Sequence, residues 1–210
     1  AGFTMTDAHG EQVAVHLGIP GRHNVMNALA AATVALRYGM PLTAIAQTLA
    51  AQHTISPHRM ALSTVSRQGA SFELIDDSFN ANPDSMKAGL DGLRAWNAND
   101  GRQPFRVALL GAMLELGADE RELHASVGEY AAGLGLDAII TVGSPSDEHL
   151  NVLAESLAEG ATRGRAASVD CVQTIDEAER IVLDLAKNHT DTVVLLKGSH
   201  ASGLSALAER

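Results

Sequence analysis

The sequence predicts an α/β protein with a doubly wound, mainly parallel sheet, preceded by a smaller piece of another domain. Three observations carry this. After about residue 70, strand-like and helix-like segments alternate to the end of the chain, and repeated βα units close a parallel sheet covered by helices on both faces. The pattern changes at His53–His58, which reads as a connection. Hydrophobic residues make up 46% of the chain but aromatics only 3%, so the core must be built from Ala, Leu, Val and Ile.

The elements follow in order. Phe3–Thr6 and Gln12–Leu17 alternate around the turn Asp7-Ala8-His9-Gly10, a hairpin that Gly18-Ile19-Pro20-Gly21 ends. An Ala-rich run from Asn24 to about Tyr38 predicts a buried helix stopped by Gly39, and a second helix covers Leu42 to Ala51. Strands follow at Arg59–Ser66 and Ser71–Asp76, around Gln68-Gly69. Helices at 83–97, 119–133, 146–159 and 174–188 then alternate with strands at 105–110, 137–142, 168–172 and 192–196, and a last helix starts near Ser202. The expected division is residues 1–54 and residues 55–210.

Charge and composition remove several classes of function. The formal charge is −10 with no basic patch to offset it, so nucleic acid is not an expected partner. Cys171 is the only cysteine, which rules out an internal disulfide and fits a reducing compartment. No apolar run reaches the roughly 18 residues of a membrane span, and no signal peptide is visible. The chain opens at Ala1 directly into strand-like sequence, as the interior of a longer cytoplasmic protein would. A phosphate-binding Gly-x-x-x-x-Gly-Lys-Ser/Thr loop, a dinucleotide Gly-x-Gly-x-x-Gly and a Gly-x-Ser-x-Gly elbow are all missing. The nine histidines have no metal-ligand spacing with cysteine, and no nucleophile has a base beside it.

Ligands of such sheets bind at the carboxyl ends of the strands, so the loops after Ile75, Leu110, Val142 and Leu196 carry the interest. In the first, Ile75-Asp76-Asp77-Ser78-Phe79-Asn80-Ala81-Asn82-Pro83 ends a strand and opens a helix. Paired acids there can hold a ribose diol, a metal-bound water or an ammonium, while a turn with a helix cap explains the same residues. In the loop after Leu110, Gly111 permits close backbone approach, and Glu115 with His124 can orient an amine; an ordinary βα turn is the alternative. After Leu196, the scarce lysine Lys197 stands beside Gly198 and Ser199. It can bind a carboxylate or phosphate as a point charge, or simply end a strand with its head in water. Upstream, Asn24 is a candidate N-cap with Asn27 on the same helix face; the pair can read a purine edge or merely cap a helix.

These residues, in order along almost the whole chain, resemble the Mur ligase family. The resemblance rests on Gly21-Arg22-His23-Asn24-x-x-Asn27-Ala28, Arg59-Met60, the run Asp76–Met86, Gly111-x-Met113-x-Glu115-Leu116-Gly117 and Leu196-Lys197-Gly198-Ser199. The Asp-Asp-Ser-aromatic-Asn-Ala-Asn-Pro-Asp-Ser run is the most specific. It resembles the branch that joins D-alanyl-D-alanine to a UDP-N-acetylmuramoyl-tripeptide. The resemblance implies the end of a central ATPase domain followed by a Rossmann-like C-terminal domain. It also implies use of ATP and Mg2+, an acyl phosphate attacked by the acceptor's amine, a role in peptidoglycan synthesis, and a monomer. Nucleotide contacts are implied for Asn24, Asn27, Arg59, Asp76 and Asp77, and acceptor contacts for Asn80, Asn82, Lys197 and Ser199. The implied catalytic lysine and metal ligands lie upstream, so no catalytic or metal-binding residue is expected here. The family usually has Asp at Ala112 and often Arg at His200, which puts the acid of one loop in doubt and weakens anion binding by the other. Related ligases acting on folate or other cell-wall intermediates, and a non-catalytic α/β binding module, are the competing readings.

Overall fold

In the computed structural model, residues 2–18, 22–52, 58–97 and 102–210 are described. They form two compact units, Ala1–Pro57 and His58–Arg210. The expected boundary at residues 54–55 and the break at Ile19–Gly21 lie outside the described residues.

The first unit is a hairpin with two helices. Strands β1 (Gly2–Thr6) and β2 (Gln12–His16) pair antiparallel, Gly2 opposite His16. The Asp7 carboxylate ties the turn by accepting from the amides of His9 and Glu11, each at 2.8 Å. Helices α1 (Arg22–Arg37) and α2 (Leu42–Ala50) bury Ala28, Ala32, Leu42 and Ile45 against Met5 and Val15 of the hairpin. Met26, Val34 and Tyr38 stay exposed on α1 and just beyond it, Tyr38 at 87%. Because α1 starts at Arg22, Asn24 lies inside the first turn and is not the cap that the sequence suggested.

The second unit is a six-stranded sheet in the order β3-β4-β8-β5-β6-β7. Its strands are β3 (Ala61–Arg67), β4 (Ala70–Asp77), β5 (Phe105–Gly111), β6 (Ala138–Val142), β7 (Val169–Val172) and β8 (Thr192–Lys197). Only β3 runs antiparallel, to β4; the other pairings are parallel. Residue alternation along each strand separates two cores. Ile75, Ala108, Ile139 and Leu195 face α3 (Pro83–Ala95), α4 (Glu120–Gly133) and α5 (Glu148–Arg163). Leu74, Leu109, Ile140 and Leu196 face α6 (Ile175–Asn188) and the short α7 (Leu204–Ala208). The doubly wound, mainly parallel sheet is therefore as expected.

Most boundaries fall within two residues of the expected ones. Two of the shifts have local causes. Strand β3 begins at Ala61, not Arg59, because His58 and Met60 adopt left-handed backbone (φ 59° and 51°), which no strand accommodates. Helix α5 runs on to Arg163, past the expected end at 159: Gly160 stays within the helix and faces α4.

Candidate functional site

The strand order decides which loops meet. Strand β8, last in sequence, lies between β4 and β5, so the carboxyl ends of these three strands stand side by side. Asp77 is in register with Lys197, and Lys197 with Leu110. The crossing needs space. A Cβ on Gly198 would lie 2.7 Å from the Ser202 hydroxyl oxygen and 3.0 Å from Gly111 Cα; one on Gly111 would lie 2.5 Å from Ser202 Cβ. Glycine at both positions lets the two loops touch, and the Ser199 amide donates to the Ala112 carbonyl at 2.9 Å.

Adjacent residues of a strand point to opposite faces, and this separates the two acids that the sequence suggested as a pair. Asp76 is buried on the α6 side. Its Oδ1 accepts from the Ser78 hydroxyl at 2.6 Å and the Ser78 amide at 3.2 Å, and its Oδ2 lies 2.7 Å from His58 Nδ1. Asp77 faces α3. Its Oδ2 lies 2.8 Å from the Lys197 ammonium, and its Oδ1 has no partner among the described residues. The carboxylates do not act together. Asp76 builds the loop, and Asp77 retains one oxygen for a donor.

Lys197 also differs from both sequence readings. Its side chain is 2% exposed and does not reach water. The ammonium donates to the Asn80 carbonyl at 2.8 Å and lies 3.4 Å from the Asp77 carbonyl, in addition to its ion pair. It closes the turn after β4 and is not an open anion site.

Arg59 joins the same loop from the other end. Its guanidinium carbon stands 4.3 Å from the centroid of the Phe79 ring, and both side chains are exposed. The Phe79 amide donates to the His58 carbonyl at 3.1 Å. Arg59, Asp76, Asp77, Asn80 and Lys197 therefore form one cluster within the second unit. His58, Ser78 and Phe79 are its unforeseen members. The Asp-x-Ser spacing, which permits a carboxylate to fold back on the amide two residues on, was a signal for Ser78. His58 had none in the sequence.

The remaining candidates separate from this cluster. The Asn82 side chain accepts from the Ser85 amide at 2.8 Å and caps α3 in a capping box, the structural role for an Asn before Pro83. Asn80 Oδ1 accepts from the Ala81 amide at 2.8 Å. The Ser199 hydroxyl is buried without a partner among the described residues. In the first unit, Asn27 Nδ2 donates to Asn24 Oδ1 at 3.4 Å, so the two amides engage each other, with Asn24 buried and Asn27 exposed.

His124 does not partner Glu115, which is exposed. It is fully buried beneath the loop after β5. Its Nε2 accepts from the Met113 amide at 2.9 Å, so the proton sits on Nδ1, 2.6 Å from the Glu120 carbonyl. Burial lowers its pKa from the ordinary 6.5, partly opposed by the hydrogen bond to the Glu120 carbonyl. The unfolded chain therefore takes up a proton that the folded one resists. The stabilisation is complete above about pH 6.5 and is lost as pH falls through the lowered value. His149 Nε2 lies 3.3 Å from Glu120 Oε2. A comparison with His124→Gln isolates the His124 contribution: unfolding free energy measured from pH 8 to pH 5 should fall more steeply for the unaltered chain.

What the cluster offers is an exposed guanidinium on an aromatic ring, a carboxylate oxygen without a partner among the described residues, and a loop fixed by a buried lysine. Among the described residues no group of three His, Cys, Asp or Glu can hold a metal ion, and no helix is long and apolar enough to cross a membrane. Residues 58–200 match the family described as "Mur ligase, glutamate ligase domain". The chain belongs to the Mur ligase family. The UDP-N-acetylmuramoyl-tripeptide--D-alanyl-D-alanine ligase of Mycobacterium tuberculosis (strain CDC 1551 / Oshkosh) is 39% identical over 213 residues, covering 99% of this chain and 41% of the relative. The Escherichia coli (strain K12) ligase of the same name is 37% identical over 144 residues, 69% of this chain and 29% of the relative. A crystal structure of MurF from Acinetobacter baumannii superposes with a TM-score of 0.79 at 28% identity, over 99% of this chain and 41% of that one. This Mur ligase chain thus spans about two fifths of the length of these full-coverage relatives. The family match takes in Arg59, Asp76, Asp77, Lys197 and Ser199, and Asn24 and Asn27 lie outside it.

Proposed function

We propose that the chain is part of an ATP-dependent ligase that joins D-alanyl-D-alanine to a UDP-N-acetylmuramoyl-tripeptide in peptidoglycan synthesis. One observation carries the reading: 39% identity to a ligase of that name over 99% of this chain. Residues 1–54 are then the end of a central ATP-binding domain and residues 55–210 the C-terminal ligase domain. The exposed Met26, Val34 and Tyr38 support the first assignment, since a helix of a complete domain covers such side chains. Mg2+, a cytoplasmic location and a monomeric state belong to the same proposal, and no described residue is assigned to the metal.

The residues of the second unit fit a nucleotide in two ways. Arg59 presents a fixed positive charge to phosphate or to an adenine face. Asp77 Oδ1 accepts from a ribose hydroxyl while Oδ2 stays on Lys197. Bound there, ATP supplies the phosphoryl group that activates the tripeptide carboxylate as an acyl phosphate. Asp76, His58 and Ser78 hold the loop that carries Asp77 and Asn80. In the acceptor half, the Ser199 hydroxyl has an unused hydrogen bond to offer a dipeptide. Asn24 and Asn27 are proposed for the adenine side, Asn80 and Asn82 for the acceptor side through their position on the loop.

Phosphoryl transfer depends on positioning and charge neutralisation by a phosphate loop and its metal, and this chain has no such loop. The 210-residue chain alone should release no phosphate from ATP above background. The full ligase should release one phosphate per amide formed. Amide formed without nucleotide, or with AMP and pyrophosphate in place of ADP and phosphate, would exclude the acyl-phosphate route.

A further inference from the structure

The structure assigns Lys197 a role other than grip on the acceptor: we infer that it is a positioning residue, which holds Asp77 and the Asp77–Asn80 turn in the shape the nucleotide requires. The inference rests on the proposed nucleotide role of Asp77 and goes beyond it by naming what holds that acid in place.

Three observations support it. First, the ammonium is fully engaged. Its donors meet Asp77 Oδ2 and the Asn80 carbonyl at 2.8 Å each, with the Asp77 carbonyl at 3.4 Å. A lysine has three donors, so an acceptor carboxylate would have to displace one of these partners. Second, the side chain is 2% exposed and runs beneath the turn, against α3. A substrate anion has no path to it that leaves the turn in place. Third, α3 is shaped around its stem. A Cβ on Gly89 would stand 3.2 Å from Lys197 Cδ and 3.7 Å from Cε. Glycine inside a helix is otherwise unfavourable relative to alanine, so Gly89 gives the stem its room.

The pair divides the work on Asp77. Lys197 fixes Oδ2 and thereby the carboxylate plane, which leaves Oδ1 as the acceptor for a ligand hydroxyl. The same ammonium fixes the Asn80 carbonyl and so the course of the chain between β4 and α3. Loss of Lys197 therefore acts on the nucleotide through Asp77, while the acceptor is affected only indirectly.

The test is steady-state kinetics of the full ligase with ATP and dipeptide varied in turn, together with ADP binding by calorimetry. Four variants serve: Lys197→Met, Gly89→Ala, Asp77→Asn and the double Lys197→Met/Asp77→Asn. Lys197→Met should raise KM for ATP about 10- to 100-fold, the range expected for losing a charged hydrogen bond, and the dipeptide KM less than about threefold. Gly89→Ala keeps the charge and improves helix propensity, yet shifts the stem. It should raise KM for ATP several-fold with no loss of thermal stability, an outcome that a merely structural lysine would not produce. ADP affinity should fall as much in the double variant as in Asp77→Asn, because both changes act through one carboxylate. A dipeptide KM that rises more than the ATP KM would make Lys197 an acceptor ligand and overturn the inference. Unchanged ATP and ADP constants in Gly89→Ala and in the double variant would overturn it too, even if Lys197→Met fails to fold. If the unaltered protein binds ADP but does not use the dipeptide, the proposed acceptor fails, and calorimetry still decides the role of Lys197.

Discussion

Lys197→Met is expected to destabilise the second unit by about 3 kcal/mol, the low end of the cost of breaking a buried ion pair from one side. The reason is what remains. Asp77 keeps its charge in a site where its side chain is 15% exposed, and the Asn80 carbonyl loses its donor. The low end applies because water still reaches part of the Asp77 carboxylate. Removing both charges should be far milder, since replacing a whole buried pair is often nearly neutral. Lys197→Met/Asp77→Asn should therefore recover most of the loss, leaving about 1 kcal/mol for the Asn80 hydrogen bond. Denaturant unfolding of the four corners of this cycle measures it. Additive losses would mean that the two side chains do not interact energetically, and the loop would need another anchor.

Gly160→Ala should cost about 2 kcal/mol although alanine is the better helix former. Helices α4 and α5 touch through their backbones. A Cβ on Gly160 would lie 2.0 Å from the Ala125 carbonyl oxygen, and one on Gly128 the same distance from that of Leu157. Backbone cannot rotate away as a side chain can, so the helices must part, and Leu157 and Val127, both fully buried, lose contacts in the core. Overpacking of this kind costs about 1–3 kcal/mol, occasionally more, against about 1 kcal/mol regained from helix propensity. The two glycines serve one contact. Once the helices have separated for one methyl group, the second is cheaper, so Gly128→Ala/Gly160→Ala should lose less than the sum of the single changes. A stabilised Gly160→Ala would show that α4 and α5 are not in backbone contact.

How much of this the sequence carries depends on whether the information is local. The βα alternation, the Asp7 turn and the Asn82-Pro83 cap are written in neighbouring residues, and they appear where expected. The place of β8 is not local. Nothing near Leu195 says that the last strand inserts between β4 and β5, and without that step Lys197 and Asp77 are 120 residues apart with no reason to meet. Lys197 stands out in the sequence because lysine is scarce, but the same scarcity suits a buried ion pair and an anion site equally. The separation of Asp76 from Asp77 was legible, since strand alternation alone sends neighbours to opposite faces. His58 was not: its partner Asp76 is 18 residues away across a hairpin, and its left-handed backbone has no sequence marker. Gly89, Gly128 and Gly160 look like weak points of helices until the surface opposite each is known.

The acceptor specificity of the full ligase is the most direct measurement. The purified protein, given UDP-N-acetylmuramoyl-tripeptide, ATP and a mixture of D-alanyl-D-alanine, D-alanine and L-amino acids, should form one product, heavier than the tripeptide precursor by the dipeptide less one water. A product carrying a single amino acid, or no ATP-dependent product from this precursor, would contradict the assignment and return the chain to another branch of the family.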